Sequence, residues 1–180
     1  MENEFCILIP TYNRSTTILE CVNSSLNQTY EQTVTIVVDN DSSDDTLLIL
    51  RTKFSKEINT GKLVIISNET NVGMIGNWNR CLKNVNGYAW KFLFSDDYLH
   101  PKYVETVMRE FKRLDNVNIV STSLVYFDNQ GKFGKTRRYG KGVKSLKNSL
   151  LRTLATRNAI GAPSNVSFRN LQNTSVNFID

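Results

Sequence analysis

Residues 5–39 read FCILIPTYNRSTTILECVNSSLNQTYEQTVTIVVD, in which two short apolar runs flank a segment with helical spacing. The runs FCILIP and TVTIVVD have the length and the branched composition of buried strands. Between them, Ile18, Leu19, Val22 and Leu26 share one helical face behind the polar start NRST. The order predicts a strand, a helix and a second strand, which is the unit from which parallel sheets are built.

The same alternation continues to residue 114. KLVIIS (62–67) and YAWKFLFS (88–95) are predicted to form the third and fourth strands. Apolar residues at helical spacing predict a helix before each of these strands and another after Pro101, namely Leu47, Leu50 and Phe54, then Ile75, Trp78, Leu82 and Val85, then Val104, Val107, Met108 and Phe111. Asp44 is the predicted N-cap of the first of these helices. We therefore expect an α/β fold with a mainly parallel, Rossmann-like sheet flanked by helices.

The rest of the chain has a different pattern. NVNIVSTSLVYF (116–127) predicts one more strand, and DNQGKFG (128–134) predicts a turn into an exposed, basic strand. A final amphipathic helix is expected near 146–154. Because no repeat, low-complexity tract or linker divides the 180 residues, we expect a single domain, 1–180.

The composition is typical of a soluble globular protein, with 40% hydrophobic and 22% charged residues. The net charge of +5 suits an anionic ligand or membrane surface and requires no nucleic-acid partner. Basic residues cluster in 131–157, where few acids balance them. Cys6, Cys21 and Cys81 lack metal-ligand spacing, so reduced core thiols are expected. The start MENEFCILIP has too short an apolar run for a signal or a membrane span, which favours a cytoplasmic location.

Polar residues follow each of the four predicted strands. In open parallel sheets, ligands bind beyond the carboxyl ends of the strands, so these residues are the candidates for a binding site. They are Pro10, Thr11, Tyr12, Asn13 and Arg14 after the first strand, Asp39, Asn40 and Asp41 after the second, Ser67 and Asn68 after the third, and Ser95, Asp96 and Asp97 after the fourth.

The carboxylates after strands two and four would repel one another unless a hard cation such as Mg²⁺ or Mn²⁺ neutralised them. Such a cation uses one or two protein carboxylates and completes its shell with substrate phosphates, which predicts a phosphate-bearing ligand. The alternative is that Asp96 and Asp97 cap the following helix. Tyr12 either stacks on a base or covers the sheet edge, and His100 is either a ligand or a solvent-facing loop residue.

Four segments, ILIPTYNR (7–14), IVVDNDSSDDT (36–46), NVGMIGNWNRCL (71–82) and FLFSDDYLHP (92–101), match a known family in order and spacing. They resemble the nucleotide-sugar-binding half of family 2 glycosyltransferases with a GT-A fold. NWNRCL and IGAPSNVSFRN (160–170) are most similar to bacterial enzymes of surface polysaccharide or lipopolysaccharide synthesis. The resemblance implies that 1–114 bind the nucleotide sugar and that 115–180 begin an acceptor-side part that is incomplete here.

The resemblance further implies a metal-dependent, inverting transfer of a sugar from a nucleoside diphosphate to a hydroxyl of a glycan or lipid-linked acceptor. By the matched motifs, the nucleotide-sugar-binding residues are Pro10, Thr11, Tyr12, Arg14, Asp39, Asn40, Asn79 and Asp96. Asp97, with Asp96, would hold the Mn²⁺ or Mg²⁺. The family's catalytic base follows the region that resembles 161–170, and no residue here is assigned to it. The late basic segment predicts a position at the inner face of the membrane.

Two other functions fit parts of the sequence. VVDNDSS resembles the nucleophile loop of a haloacid-dehalogenase-type phosphatase, although that fold normally opens on its nucleophile strand and the chain has an earlier strand. A nucleotide-sugar-binding domain without turnover is the second alternative. The sugar, the base, the acceptor and the oligomeric state are not predicted by the sequence.

Overall fold

A computed structural model describes residues 4–127, 133–138, 142 and 162–171. Its elements in chain order are β1 (Phe5–Thr11), α1 (Ile18–Leu26), β2 (Thr33–Asp39), α2 (Thr46–Lys53), α3 (Ser55–Asn59), β3 (Leu63–Ser67), α4 (Gly73–Leu82), β4 (Ala89–Phe92), α5 (Tyr103–Arg113), β5 (Ile119–Ser121), β6 (Leu124–Phe127), β7 (Phe133–Arg137) and β8 (Val166–Arg169). The predicted α/β fold is confirmed.

The larger sheet has the strand order β3-β2-β1-β4-β8-β5. β1 is parallel to both β2 and β4, and β3 is parallel to β2, while β8 runs antiparallel to β4 and β5. The mainly parallel sheet is therefore confirmed. The chain proceeds from β1 outward to β3 and then returns to place β4 on the other side of β1. Such a reversal leaves a crevice at the carboxyl ends of the central strands, where ligands of open α/β sheets bind.

Both faces of the sheet are covered by helices, and alternate residues of β1 supply the two cores. On one face, Phe5, Ile7 and Ile9 join a cluster that includes residues of α1, α2 and α5. On the other, Cys6 and Leu8 join a cluster against which residues of α4 pack. The sheet is consequently buried on both sides, and only its edges and strand ends are open to ligands.

Three strand predictions need correction. The fourth strand is shorter than 88–95, because after Leu93 the amide of Phe94 leaves the ladder and donates to the hydroxyl of Ser164. The predicted strand 116–127 is two strands, since β5 stays in the larger sheet while β6 pairs with β7 in a separate hairpin. β8 was not predicted. Its four residues take their place from tertiary pairing, with Lys91 opposite Ser167.

The four helices predicted before residue 115 are present as α1, α2, α4 and α5, with α3 as an additional short helix. Asp44 lies one residue before the N-cap position of α2, and its carboxylate accepts hydrogen bonds from the amide and hydroxyl of Thr46. All three cysteines are buried free thiols, as expected. The predicted turn at 128–132 and the helix near 146–154 lie outside the described residues. Within the described part of the chain, no helix is long and apolar enough to span a bilayer.

Candidate functional site

A cavity of about 430 Å³ opens at the carboxyl ends of β1, β2 and β4, beside the first turns of α4. Its lining residues are Pro10, Thr11, Tyr12, Arg14, Asn40, Asn71, Met74, Asn77, Trp78, Phe94, Ser95 and Asp96. It therefore lies at the point where the strand order reverses, and it joins three of the strand ends identified from the sequence. We call it the strand-end pocket.

The loop after β1 gives the pocket a buried hydroxyl and an exposed aromatic ring. Thr11 is 3% exposed, and its Oγ1 has no hydrogen-bond partner among the described residues. A buried hydroxyl without a partner costs free energy, so this oxygen is suited to a hydrogen bond with a ligand. Tyr12 is 45% exposed, and Arg14 is exposed at the rim. Together they offer a flat ring and a cation.

Backbone contacts fix this loop against the loop after β2. The amide of Asn40 donates to the carbonyl of Thr11 at 2.9 Å. The amides of Asn13 and Arg14 donate to the hydroxyls of Ser42 and Thr46 at 2.9 and 2.8 Å. Asn13 has a φ of 51°, in the left-handed region that Asn adopts more easily than most residues. The two strand ends consequently form one preorganised wall.

Asp39 lies behind this wall and does not line the pocket. It is 0% exposed, and its two carboxylate oxygens accept hydrogen bonds from the amide of Ser42 at 2.9 Å and from its hydroxyl at 2.5 Å. The resemblance assigned Asp39 to the nucleoside. In this geometry its carboxylate holds the turn at Ser42, whose hydroxyl accepts from the amide of Asn13.

Four asparagines, Asn40, Asn68, Asn71 and Asn77, form a hydrogen-bonded network at the other side of the pocket. Asn40 uses all its capacity within the protein. Its Nδ2 donates to Asn71 Oδ1 at 2.8 Å and to the Gly73 carbonyl at 3.3 Å, while its Oδ1 accepts from Asn68 Nδ2 at 2.8 Å and from the Val72 amide at 3.0 Å. Asn40 therefore positions the loop of residues 71–73.

Helix α4 contributes Asn77 to the pocket, where the resemblance indicated Asn79. Asn77 is 3% exposed, with its Nδ2 donating to the Val38 carbonyl and its Oδ1 accepting from Asn68. Asn79 is half-buried and is absent from the lining. The sequence did contain a signal for Asn77, namely a polar residue directly before Trp78 in a helix that packs on the sheet. Gly73, with a φ of 75°, makes the tight turn into α4.

The apolar wall of the pocket is aromatic. The rings of Trp78 and Phe94 are stacked, with centroids 5.5 Å apart and an interplanar angle of 24°. Trp78 also contacts Phe92, at 6.1 Å between centroids. A pocket lined by this aromatic wall, by the Tyr12 ring and by polar side chains is suited to a planar ligand group.

The acidic turn after β4 presents one carboxylate to the pocket and keeps the other beside it. Asp96 is exposed and lines the pocket, whereas Asp97 is half-buried and does not. Within the described residues, neither carboxylate accepts a hydrogen bond or forms an ion pair. Helix α5 begins at Tyr103 with Lys102 at its N-cap, so the alternative that this pair caps the helix is wrong.

The donor set fits a hard divalent cation that brings its own oxygen ligands. Carboxylate oxygens are the donors that Mg²⁺ and Mn²⁺ prefer, and Mg²⁺ commonly uses only one or two of them together with phosphates and water. No group of three or more His, Cys, Asp or Glu side chains that could hold a metal occurs in the described part of the chain. His100 is exposed, its Nδ1 accepts from the Lys102 amide, and it is absent from the lining.

Similarity to known proteins shows the family to which the chain belongs. The model of the family described as Glycosyl transferase family 2 matches residues 6–170. The chain belongs to this family. It is 34% identical over 125 residues to the chondroitin synthase of Escherichia coli, an alignment that spans 69% of the chain and 18% of that protein.

Two solved structures show the same GT-A fold for this family 2 chain. Staphylococcus aureus TarS 1–349 in complex with UDP-GlcNAc superposes with a TM-score of 0.63 at 24% identity, over 92% of the chain and 45% of that protein. The mannosyltransferase PcManGT from Pyrobaculum calidifontis, in complex with GDP-Man and Mn²⁺, superposes with a TM-score of 0.60 at 19% identity, over 68% and 36%. The chain thus spans less than half the length of each of these relatives.

One buried cation of this family 2 chain was missed by the sequence reasoning. Lys91 is 0% exposed, and its Nζ donates to the Ser164 carbonyl at 2.5 Å and lies 4.3 Å from the ring centroid of Tyr103. Burial lowers the pKa of Lys91 to about 7, while Asp97 acts in the opposite direction. A lysine inside the apolar strand AWKF was the available signal.

Proposed function

We propose that the chain contains the donor site of a glycosyltransferase that moves a sugar from a nucleoside diphosphate to an acceptor hydroxyl in bacterial surface polysaccharide or lipopolysaccharide synthesis. The observation that supports this most strongly is the strand-end pocket, which combines a partnerless buried hydroxyl, aromatic walls and the Asp96 carboxylate at the switch point of the sheet. Family membership and the ligands named for the two solved neighbours, UDP-GlcNAc and GDP-Man, agree with this choice.

In this proposal, Tyr12 and the aromatic wall contact the base, and Thr11 donates or accepts a hydrogen bond with the nucleoside. Arg14, exposed at the rim, faces the diphosphate. Pro10 and Asn40 shape the walls, and Asp39 acts through the turn at Ser42. Asn77 replaces Asn79 as the proposed contact from α4.

Asp96 and Asp97 would hold the cation, Mn²⁺ or Mg²⁺. When bound, the cation neutralises the diphosphate and stabilises the negative charge that develops as the anomeric C–O bond breaks. The protein's own contribution is to fix the two carboxylates by the backbone of the acidic turn, and to keep the base and ribose in one orientation. Mn²⁺ in the PcManGT structure is consistent with this cofactor.

The acceptor side belongs to the later part of the chain. We propose that residues 1–114 bind the donor and that 115–180 begin the part that binds a glycan or lipid-linked acceptor. An inverting transfer needs a general base, which we do not assign. The exposed side chains of Tyr126, Phe127, Arg137 and Arg138 in and beside the β6–β7 hairpin would allow contact with the inner face of an anionic membrane. Binding to anionic vesicles that is the same at low and high salt would contradict the electrostatic part of this contact.

The structure disfavours the phosphatase alternative. A nucleophilic aspartate in VVDNDSS must be accessible to substrate, yet Asp39 is fully buried and both of its oxygens are engaged by Ser42. Nucleotide-sugar binding without turnover remains the competing proposal for this chain. Acceptor-dependent sugar transfer by the purified chain would exclude it.

The first test is a thermal-shift panel of UDP, GDP, CDP and dTDP, each with and without Mn²⁺. A ligand at a hundred times its Kd should stabilise the fold by about 2.7 kcal/mol. We expect one nucleotide to give a cation-dependent shift that is lost in Asp96→Asn and kept in Asp115→Asn, which removes the same charge from an exposed site outside the pocket. The absence of a shift with all four nucleotides would contradict the proposed donor site.

A further inference from the structure

The buried amine of Lys91 carries a high desolvation cost. The side chain is 0% exposed inside the sheet, and burial opposes its charge strongly enough to bring the pKa to about 7. Replacing a buried ion by an apolar group of similar shape is often neutral or stabilising. A methionine at this position would avoid the cost of burying the amine, but it would leave the carbonyl of the 7% exposed Ser164 without this donor. What the lysine adds over an apolar residue is therefore its hold on Ser164.

Lys91 is connected to the acidic turn by a continuous path of hydrogen bonds. Its Nζ donates to the carbonyl of Ser164 at 2.5 Å, and the hydroxyl of Ser164 accepts from the amide of Phe94 at 3.2 Å. The carbonyl of Phe94 accepts in turn from the amide of Asp97 at 2.9 Å. Ser164 is only 7% exposed. Lys91 and Phe94 therefore hold Ser164 at two points, and Phe94 holds the turn.

The carboxylates of the acidic turn depend on this backbone for their placement. Among the described residues, no hydrogen bond or ion pair reaches the side chains of Asp96 and Asp97, so within this part of the chain their placement follows the backbone of the turn. A cation site built from two such carboxylates is sensitive to small shifts of the backbone, because Mg²⁺-like ions demand near-ideal geometry.

We propose that Lys91 is a positioning residue for the acidic turn: by holding Ser164 against the amide of Phe94, it fixes Asp96 and Asp97 in the orientation that binds the divalent cation of the nucleoside diphosphate. This inference rests on the proposed function. It assigns a role to Ser164, which follows the donor-binding region in sequence by about fifty residues and reaches it through the pairing of β8 with β4.

The direction of the effect separates positioning from simple electrostatics. Removing an ammonium group near Asp97 would strengthen the binding of a divalent cation if charge alone mattered, since like charges repel. Loss of positioning weakens binding instead. Outer partners of metal ligands typically contribute 10–100-fold to metal affinity, so the positioning effect should exceed the electrostatic one, with a net loss of about tenfold.

The test is a titration of Mn²⁺ followed by electron paramagnetic resonance, alone and with UDP or whichever of GDP, CDP and dTDP gives the thermal shift. The proteins are the wild type, Lys91→Met, Ser164→Ala and the double variant. The control is Ser167→Ala, a buried serine on β8 whose hydroxyl is paired with Tyr103 at 2.9 Å and which lies outside the path to the turn. Urea unfolding of each protein reports its fold.

We expect Lys91→Met and Ser164→Ala each to weaken Mn²⁺ binding about tenfold, and the double variant to be no weaker than the poorer single variant, because both act through one path. Ser167→Ala should lose stability and keep its Mn²⁺ affinity. Equal or tighter binding by Lys91→Met overturns the inference, and if that variant does not fold, equal binding by Ser164→Ala does so. Failure of the wild type to bind Mn²⁺ would instead remove the proposed cation site, and the inference with it.

Discussion

Asn40→Leu tests whether Asn40 supports the pocket or binds the ligand itself. The substitution keeps the shape of the side chain and removes four hydrogen bonds, to Asn71, Gly73, Asn68 and Val72. At about 1 kcal/mol each, their loss would cost about 4 kcal/mol if no group found a new partner.

Water reduces this cost. Asn71, Val72 and Gly73 are exposed, so their polar groups can bond to solvent, whereas Asn68 is only 6% exposed and loses a buried partner. The expected loss in the free energy of unfolding is therefore about 2 kcal/mol. The loop of residues 71–73 should also loosen, and nucleotide affinity should fall because part of the binding energy must reorder it.

The assay is urea unfolding of both proteins with the slope left free, so that a change in midpoint at constant slope reports stability. Asn84→Leu is the control, since Asn84 makes one exposed side-chain bond, to the Arg80 carbonyl, and should change stability by less than about 0.5 kcal/mol. Unchanged stability of Asn40→Leu together with abolished nucleotide binding would refute the supporting role and make Asn40 a direct ligand.

Three further predictions concern Lys91, Gly73 and Tyr12. Burial lowers the pKa of Lys91 to about 7 from the ordinary 10.5, so between these values the unfolded chain binds more protons than the folded chain. The stability of the wild type relative to Lys91→Met should therefore rise from pH 7 to 10. A difference in unfolding free energy that does not change with pH would contradict the lowered pKa. Gly73→Ala should lower the free energy of unfolding by about 1 kcal/mol in thermal unfolding, because a φ of 75° is strained for alanine. A steric clash does not add to this cost, since a Cβ there meets no atom within 4 Å. A neutral result would mean that the turn relaxes. Tyr12→Ala should change the free energy of unfolding by less than about 0.5 kcal/mol, because the ring is 45% exposed. If the ring stacks on the base, the variant should bind the nucleotide about tenfold more weakly in calorimetry. Unchanged affinity would favour the alternative, that the ring covers the sheet edge.

Local sequence patterns were sufficient to predict the elements whose apolar residues are also the residues buried in the fold. The strands β1 and β2 and the apolar face of α5 are examples, because strict burial leaves a continuous or a periodic apolar pattern in the sequence. β8 was missed because its four residues become a strand only by pairing between β4 and β5, and both strands lie far away in sequence, as the pairs Ala89–Arg169 and Ile119–Phe168 show. The division of 116–127 has a similar cause: Thr122 donates to the Asn165 carbonyl, and the chain then leaves the larger sheet.

The candidate site was predicted to the level of strand ends and not to that of individual contacts. Pro10, Thr11, Tyr12, Arg14, Asn40 and Asp96 lie in the pocket lining, whereas Asp39, Asn79 and Asp97 do not. Sequence position shows that a residue follows a strand, and it does not show whether the side chain points into the cleft or back to the turn, as the carboxylate of Asp39 does towards Ser42. The role of Lys91 required the position of Ser164, which no local pattern contains.

The central claim is that the strand-end pocket binds a nucleoside diphosphate through a cation held at the acidic turn. The most direct test is a crystal structure of the chain with Mn²⁺ and the nucleotide selected by thermal shift, with anomalous scattering used to locate the metal. We expect an anomalous peak within coordination distance of the carboxylates of Asp96 or Asp97, a base beside Tyr12, and a hydrogen bond between the nucleotide and Thr11 Oγ1. A nucleotide bound outside the pocket, or a metal peak away from both carboxylates, would contradict it.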